Sequence, residues 1–161
     1  MKTEKYWVDH LDLLPHPEGG FYKETYRSKE NVINRNGDER SASTGIYFLI
    51  NSGNFSAFHK IESDEMWHFY HGSPLSVYVI HKSGELEVIK IGDNIENGEV
   101  LQAVVPAGVW FASRVDEEDS YSLVGCTVAP GFDFHDFVLA DREELMKEFP
   151  QHEKIIGELT R

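Results

Sequence analysis

The residues best suited to chemistry stand in one stretch, Gly53-Asn-Phe-Ser-Ala-Phe-His59-Lys-Ile-Glu-Ser-Asp-Glu65-Met-Trp-His-Phe-Tyr-His-Gly72. Side chains alternate along an extended strand, so Phe55, Ala57, His59 and Ile61 share one face, and Glu65, Trp67 and Phe69 share a face of the next strand. Where those faces meet, an imidazole and a carboxyl stand together among aromatic rings. Low dielectric shifts both groups, and the pair is suited to acid–base work or to supplying two ligands to a divalent metal. His68 falls on the opposite face from Glu65 by the same alternation, and His71 beside Gly72 reads as a turn residue.

Strands must position these groups. Between about Ala42 and Val138, strand-like segments near 44–50, 54–61, 65–70, 75–81, 85–91, 100–105, 110–115, 120–128 and 132–138 alternate with Gly, Pro, Asn and Asp. No helical period interrupts them, which predicts an all-β sandwich or barrel, with Ser83-Gly84 as a hairpin turn. Upstream, Trp7, Leu11 and Leu14 recur at helical spacing between a capping Thr3 and a terminating Pro15. Glu18-Gly-Gly20 reads as a tight turn before a strand over 21–26, and the polar stretch Ser28 to Ser41 as a flexible loop. Asp141 opens a helix to Phe149, and Pro150 starts a second short helical segment. One domain over 1–161, all-β with a few short helices at its two ends, accounts for the chain.

The spacing Gly53, five residues, His59, one residue, Ile61, three residues, Glu65, six residues, Gly72 resembles the first motif of the cupins, with Ile61 where that motif carries a second histidine. Pro106-Ala-Gly108-Val-Trp-Phe111 is similar to the second motif, with Phe111 in place of its histidine. Leu14-Pro-His-Pro-Glu-Gly-Gly-Phe-Tyr22, Ser63 to Tyr70 and Val105 to Trp110 resemble the Cupin-5 subfamily. The resemblance implies a double-stranded β-helix (jelly-roll) barrel, a dimeric habit and a pocket likened to those of sugar-nucleotide epimerases.

Fifteen Lys and Arg against 28 Asp and Glu leave a formal charge of −13, which disfavours nucleic acid and anionic membranes as partners. The charged N-terminus lacks the apolar run of a secretory signal, and the expectation is a cytoplasmic protein. The single cysteine, Cys126, reads as a buried core thiol. His135-Asp136 reads as surface polarity. Gly-x-Ser-x-Gly, His-Glu-x-x-His and Cys-x-x-Cys are absent.

The expected function is small-molecule binding, with a metal-independent isomerase or epimerase on a carbohydrate-like substrate as the leading form. His59 would exchange a proton next to a carbonyl, and Glu65 would orient or charge-balance it. Trp67, Phe69 and Phe111 are the candidate substrate-binding residues. No cofactor is expected, because Ile61 and Phe111 leave only two of the three or four ligands a metal needs. The alternatives are a ligand-binding sensor or carrier without catalysis, and a metal-dependent oxygenase that draws a ligand from elsewhere. A homodimer is expected to cover outward side chains such as Met66 and Tyr70.

Overall fold

The computed structural model describes residues 1–161. A short helix α1 (Glu4–His10) begins where the Thr3 hydroxyl accepts the Tyr6 amide, and it ends at Leu11, short of the expected Leu14, which stands exposed in the first strand rather than on the helix. The strands follow in order: β1 (Leu14–Pro15), β2 (Phe21–Arg27), β3 (Asn31–Ile33), β4 (Glu39–Ser41), β5 (Thr44–Asn51), β6 (Ser56–Lys60) and β7 (Asp64–Gly72). Then come β8 (Leu75–Ile80), β9 (Leu86–Ile91), β10 (Gln102–Val105), β11 (Trp110–Val115), β12 (Tyr121–Ala129) and β13 (Val138–Leu139). Helices α2 (Arg142–Glu148) and α3 (Glu153–Glu158) close the chain, with a short 3-10 turn over Pro150–His152 between them. Asp141 caps α2 by accepting the Glu144 amide.

Two antiparallel sheets form the jelly roll. The larger has the order β1-β2-β5-β12-β7-β10 and the smaller β13-β6-β11-β8-β9. Sequence neighbours such as β6 and β7 lie in different sheets, which is how the first motif brings its two halves to face each other. Residues on the inner faces, among them Ile50, Trp67, Leu75, Val77, Phe111 and Val124, make one buried core. The outer face of the smaller sheet is also covered, because Phe58, Ile80 and Ala112 pack on Leu145, Phe149, Ile156 and Leu159 of the C-terminal helices. Burial of Phe58 alone removes enough apolar surface to contribute about 2–3 kcal/mol. On the other side, Trp7, Val8 and Leu11 pack on Leu13, Leu49 and Leu123.

Two expectations need correction. Residues 28–41 contain a hairpin, β3 paired with β4, held to the rest by the bond of the Ser28 amide to Ser43 and the double bond of Arg40 to Asp136. Its charged sequence hides the strand period, since both faces are largely solvated. The segment expected as a strand over 132–138 is instead a 3-10 turn, Phe134–Asp136, capped when the Asp133 side chain accepts the His135 amide; only Val138 and Leu139 pair with β6. The tyrosine at 70 is exposed on the outer face of the larger sheet, and Met66 is half-buried there. No helix is long and apolar enough to cross a membrane.

Candidate functional site

A cavity of about 550 Å³ opens between the sheets, with His59, Ile61, Glu65, Trp67 and Cys126 in its wall and Lys23, Arg27 and Phe134 also contributing. His59 reaches it from β6. That strand is pinned at the residue before the histidine: the Phe58 amide bonds the Leu159 carbonyl, and the Ala140 amide bonds the Phe58 carbonyl. Phe58 therefore points to the helices while His59, the next residue, points to the cavity. The His59 ring lies between Phe111, at 4.1 Å, and Phe137, at 5.3 Å.

The tautomer of His59 follows from its partner. Nδ1 stands 2.8 Å from the Ala57 carbonyl oxygen, which can only accept, so Nδ1 carries the proton. In neutral His59 the other nitrogen, Nε2, is then a free base. Its nearest carboxylate is Glu18, whose Oε1 lies 3.8 Å away, beyond hydrogen-bond range but close enough to balance an imidazolium. The carboxyl of Glu65 is not within ion-pairing distance of His59. The expected charge-balancing partner is thus replaced by a residue read from sequence as part of a turn.

Glu18 is in the cavity wall because of the turn itself. Gly19 and Gly20 adopt φ of 113° and 79°, and a Cβ on Gly19 would stand 2.1 Å from the Phe55 carbonyl oxygen. Only glycine permits so close an approach of this loop to the β5–β6 connection. Arg161 ties the two together: its guanidinium donates to the Glu18 carbonyl at 2.7 Å, to Asn54 Oδ1 at 2.7 Å and to the Phe55 carbonyl at 3.0 Å, over the Phe55 ring. The Glu18 side chain is buried beside His16 and Ser56 as well as His59. Burial works to raise its pKa, but the charge of His59 and the bonds and charge of His16, with Ser56, outweigh it and hold the carboxyl below its ordinary range.

Glu65 has the opposite setting. It rises from β7 between Val128 of β12 and Val105 of β10, with the Cys126 thiol in the same cavity wall. Burial pushes its pKa up to about 7, against the lowering effect of Cys126 and with a further push from the charge of Glu18. The Cys126 thiol is itself driven up, first by burial and then by Glu65. At neutral pH the cavity therefore presents an ionised carboxylate at Glu18 and a carboxyl poised between its two forms at Glu65.

The expected aromatic set divides. Trp67 lines the cavity, at ring distances of 6.1 Å from Phe48 and 6.4 Å from Phe111. Phe69 and Phe111 do not line it: Phe69 packs on the core farther along β7, and Phe111, the partner of His59 across β11 and β6, is buried against the imidazole. The aromatic rings that do shape the cavity besides Trp67 are Tyr22, Phe48, Phe132, Phe134 and Phe137. Most lie outside the two motifs. His68, as expected, faces away from Glu65 and bonds Thr127, while His71, expected in a turn, instead lies within β7 opposite Leu123 and packs beside Trp7.

The donors do not fit the metal of the cupin motif. Ile61 and Phe111 are apolar, and no three of His16, Glu18, His59, Glu65 and Cys126 bring ligand atoms within 4.8 Å of one another. One group elsewhere does converge, Asp38, His135 and Asp136, but the Arg40 guanidinium already occupies it with two 2.8 Å bonds to Asp136. That ion pair anchors the 134–136 turn to the β3–β4 hairpin, so His135-Asp136 has a structural use beyond surface polarity.

Comparison with known proteins agrees with this architecture. Residues 5–140 match the Cupin_5 family, described as cupin superfamily (DUF985). The chain is 32% identical to the uncharacterized protein YML079W of Saccharomyces cerevisiae, over 91% of this chain and 80% of that one. A hypothetical protein from Leishmania major superposes with a TM-score of 0.94 at 39% identity, covering 98% of both chains. Oxalate decarboxylase from Bacillus subtilis superposes with a TM-score of 0.57 at 15% identity, over 90% of this chain and 36% of that one, and shows likeness of fold alone. With its motifs, its two facing sheets and a family match over most of its length, the chain belongs to the Cupin_5 family of the cupin superfamily.

Proposed function

We propose that the cavity binds a small neutral carbonyl compound of the carbohydrate type and moves a proton at the carbon next to the carbonyl, as an isomerase or epimerase does, without a metal. The observation that carries this reading is the Glu18 carboxylate 3.8 Å from the bare Nε2 of a histidine whose Nδ1–H is held by Ala57. Nε2 takes the proton, the C–H electron pair moves into the carbonyl, and Glu18 balances the imidazolium. Glu65, still partly protonated at neutral pH, donates to the developing oxyanion from the same cavity. For epimerisation the planar intermediate turns over in the cavity, His59 returns the proton to the other face of the same carbon and Glu65 takes its proton back from the oxygen; for isomerisation His59 returns the proton to the former carbonyl carbon and Glu65 is reprotonated by the hydroxyl that becomes the new carbonyl.

The test is deuterium wash-in, followed by proton NMR in D₂O, with dihydroxyacetone, D-fructose and D-glucose as probes. The wild-type protein is expected to accelerate exchange at the carbon next to the carbonyl in at least one of them. His59→Gln is expected to lose about 100-fold of that acceleration or more. Exchange that continues at the wild-type rate in His59→Gln removes the mechanism. Saturable binding of a probe with no wash-in replaces it with a ligand carrier.

A further inference from the structure

The cavity changes character from floor to mouth. The groups used in the proton transfer, His59, Glu18 and Glu65, are buried at its floor, and Trp67 and Phe48 are buried with them. Toward solvent the lining passes to the half-buried Tyr22, Ile46, Phe132 and Phe137, and the rim carries Leu14 and Phe134, which are 65% and 51% exposed. A three-carbon sugar held at His59 fills only a small part of a cavity of about 550 Å³, whose size is that of sites enclosing drug-sized ligands. The apolar wall and rim then stay wet, at the expense of the burial they could supply.

The aromatic segment after β12 is held as a ready-made contact surface. Phe132, Phe134 and Phe137 pack edge to face on one another, with ring centroids 4.9 to 6.4 Å apart. The Phe132 amide donates to Thr44 Oγ1 at 2.9 Å, and its carbonyl accepts from Arg27 at 3.0 Å. Two residues past Phe134, Asp136 is gripped by Arg40. Rings fixed in this way add little ordering cost when a ligand lies against them, and a further ring can join them in the same edge-to-face geometry.

Charge narrows the ligand further. Arg27 donates to both carboxylate oxygens of Glu24, at 2.8 and 2.9 Å, and the Lys23 ammonium lies 3.4 Å from Asp12. Asp133 adds another carboxylate to the lining. Neither the lysine nor the arginine of the lining is left for a phosphate, and the carboxylates around them repel one.

We propose that the substrate is an uncharged α-hydroxy ketone or aldehyde that carries an aromatic substituent, with its carbonyl end at His59 and its ring against Phe132 and Phe134 at the mouth. This substrate class rests on the proton-transfer reading for the placement of its carbonyl end.

The test compares α-hydroxyacetophenone with hydroxyacetone, which has methyl in place of phenyl, and with dihydroxyacetone phosphate. Affinities are read from the amide resonances of the ¹⁵N-labelled protein, and wash-in is measured on the same three probes in D₂O. The phenyl probe is expected to bind about tenfold or more tighter than hydroxyacetone, and the phosphate no tighter than hydroxyacetone. Phe134→Ala, a change on an exposed turn, is expected to lower the phenyl-to-methyl preference about threefold or more, and Phe134→Tyr to retain it. Phenyl and methyl probes bound within about twofold of each other, a phenyl probe that fails to saturate, or a preference undiminished in Phe134→Ala overturns the proposal. Tighter binding of the phosphate also overturns it and assigns the mouth to an anionic ligand. Affinity is read without turnover: a phenyl preference with no wash-in sinks the proton-transfer reading alone, and wash-in with no phenyl preference sinks the aromatic substrate alone.

Discussion

The two carboxyl groups of the cavity, Glu18 on the loop before β2 and Glu65 on β7, are equally buried and differ in what surrounds them. Glu18 has two histidines, a serine and a tight backbone turn around it, and stays ionised. Glu65 stands between valines with a neutral thiol for company, and its pKa climbs to about 7. Burial pushes both upward; only the presence of imidazole nitrogens within reach decides which one keeps its charge. A site that moves protons needs such a division between a fixed negative charge and a group ready to give up hydrogen.

The comparison can be broken most severely from the loop side. Gly19→Ala would put a Cβ against the Phe55 carbonyl in a backbone conformation that alanine adopts poorly, and a loss of about 4 kcal/mol or more in urea unfolding is expected. A loss below about 1 kcal/mol would mean that the turn is not the constraint that seats Glu18.

Next in size is the pH dependence set by Glu65. Its folded pKa lies above its ordinary value of 4.5, so the folded state holds the proton longer than the unfolded one. Its contribution to stability is complete below about pH 4.5, declines as pH rises toward 7, and is fully lost above that. Glu18, with its pKa lowered, runs the other way: its contribution is present above about 4.5 and is lost as the pH falls through the lower folded value. Glu65→Gln, which mimics the protonated form, is therefore expected to match the wild type near pH 4 and to exceed it by roughly 3 kcal/mol at pH 8, measured by denaturant unfolding. Equal stability at both pH values would place Glu65 in a far more polar setting than the valines provide.

Arg161→Ala sharpens the comparison with the smallest effect. Removing the guanidinium frees the Glu18 carbonyl and the Asn54–Phe55 turn without touching β7, and a cost of about 2 kcal/mol is expected. The pH midpoint of the Glu18 ¹³Cδ resonance should move while that of Glu65 stays. If both move together, the loop before β2 and strand β7 are coupled across the larger sheet to which both belong.

Much of the fold was legible in the chain. The period-two pattern and the turn residues located β5 to β12, and the Thr3 and Asp141 caps located two helices, because these depend on near neighbours. The hairpin of β3 and β4 escaped because its side chains are mostly solvated and leave no apolar period. The pairing of His59 with Glu65 on one cavity was readable from alternation, as was the outward turn of His68. Phe111 was not: its position in the second motif suggested a lining residue, but its ring is buried beside the imidazole of its cross-strand partner His59. His16 and Glu18 carried one signal that sequence alone could have weighed more heavily, two ionisable residues immediately before paired glycines.

The sequence, through alternation and motif spacing, which are local properties, settled that the chain forms facing sheets and that one histidine and one glutamate line the cavity between them. It also determined that the usual metal set is incomplete, because Ile61 and Phe111 offer no donor. Which carboxylate stands nearest His59 depends on contacts that exist only in the folded chain. Glu18 is 41 positions away in the chain, and its approach depends on the Gly19 contact with Phe55, on the grip of Arg161 and on a desolvation balance, none of which exists until the sheets have closed.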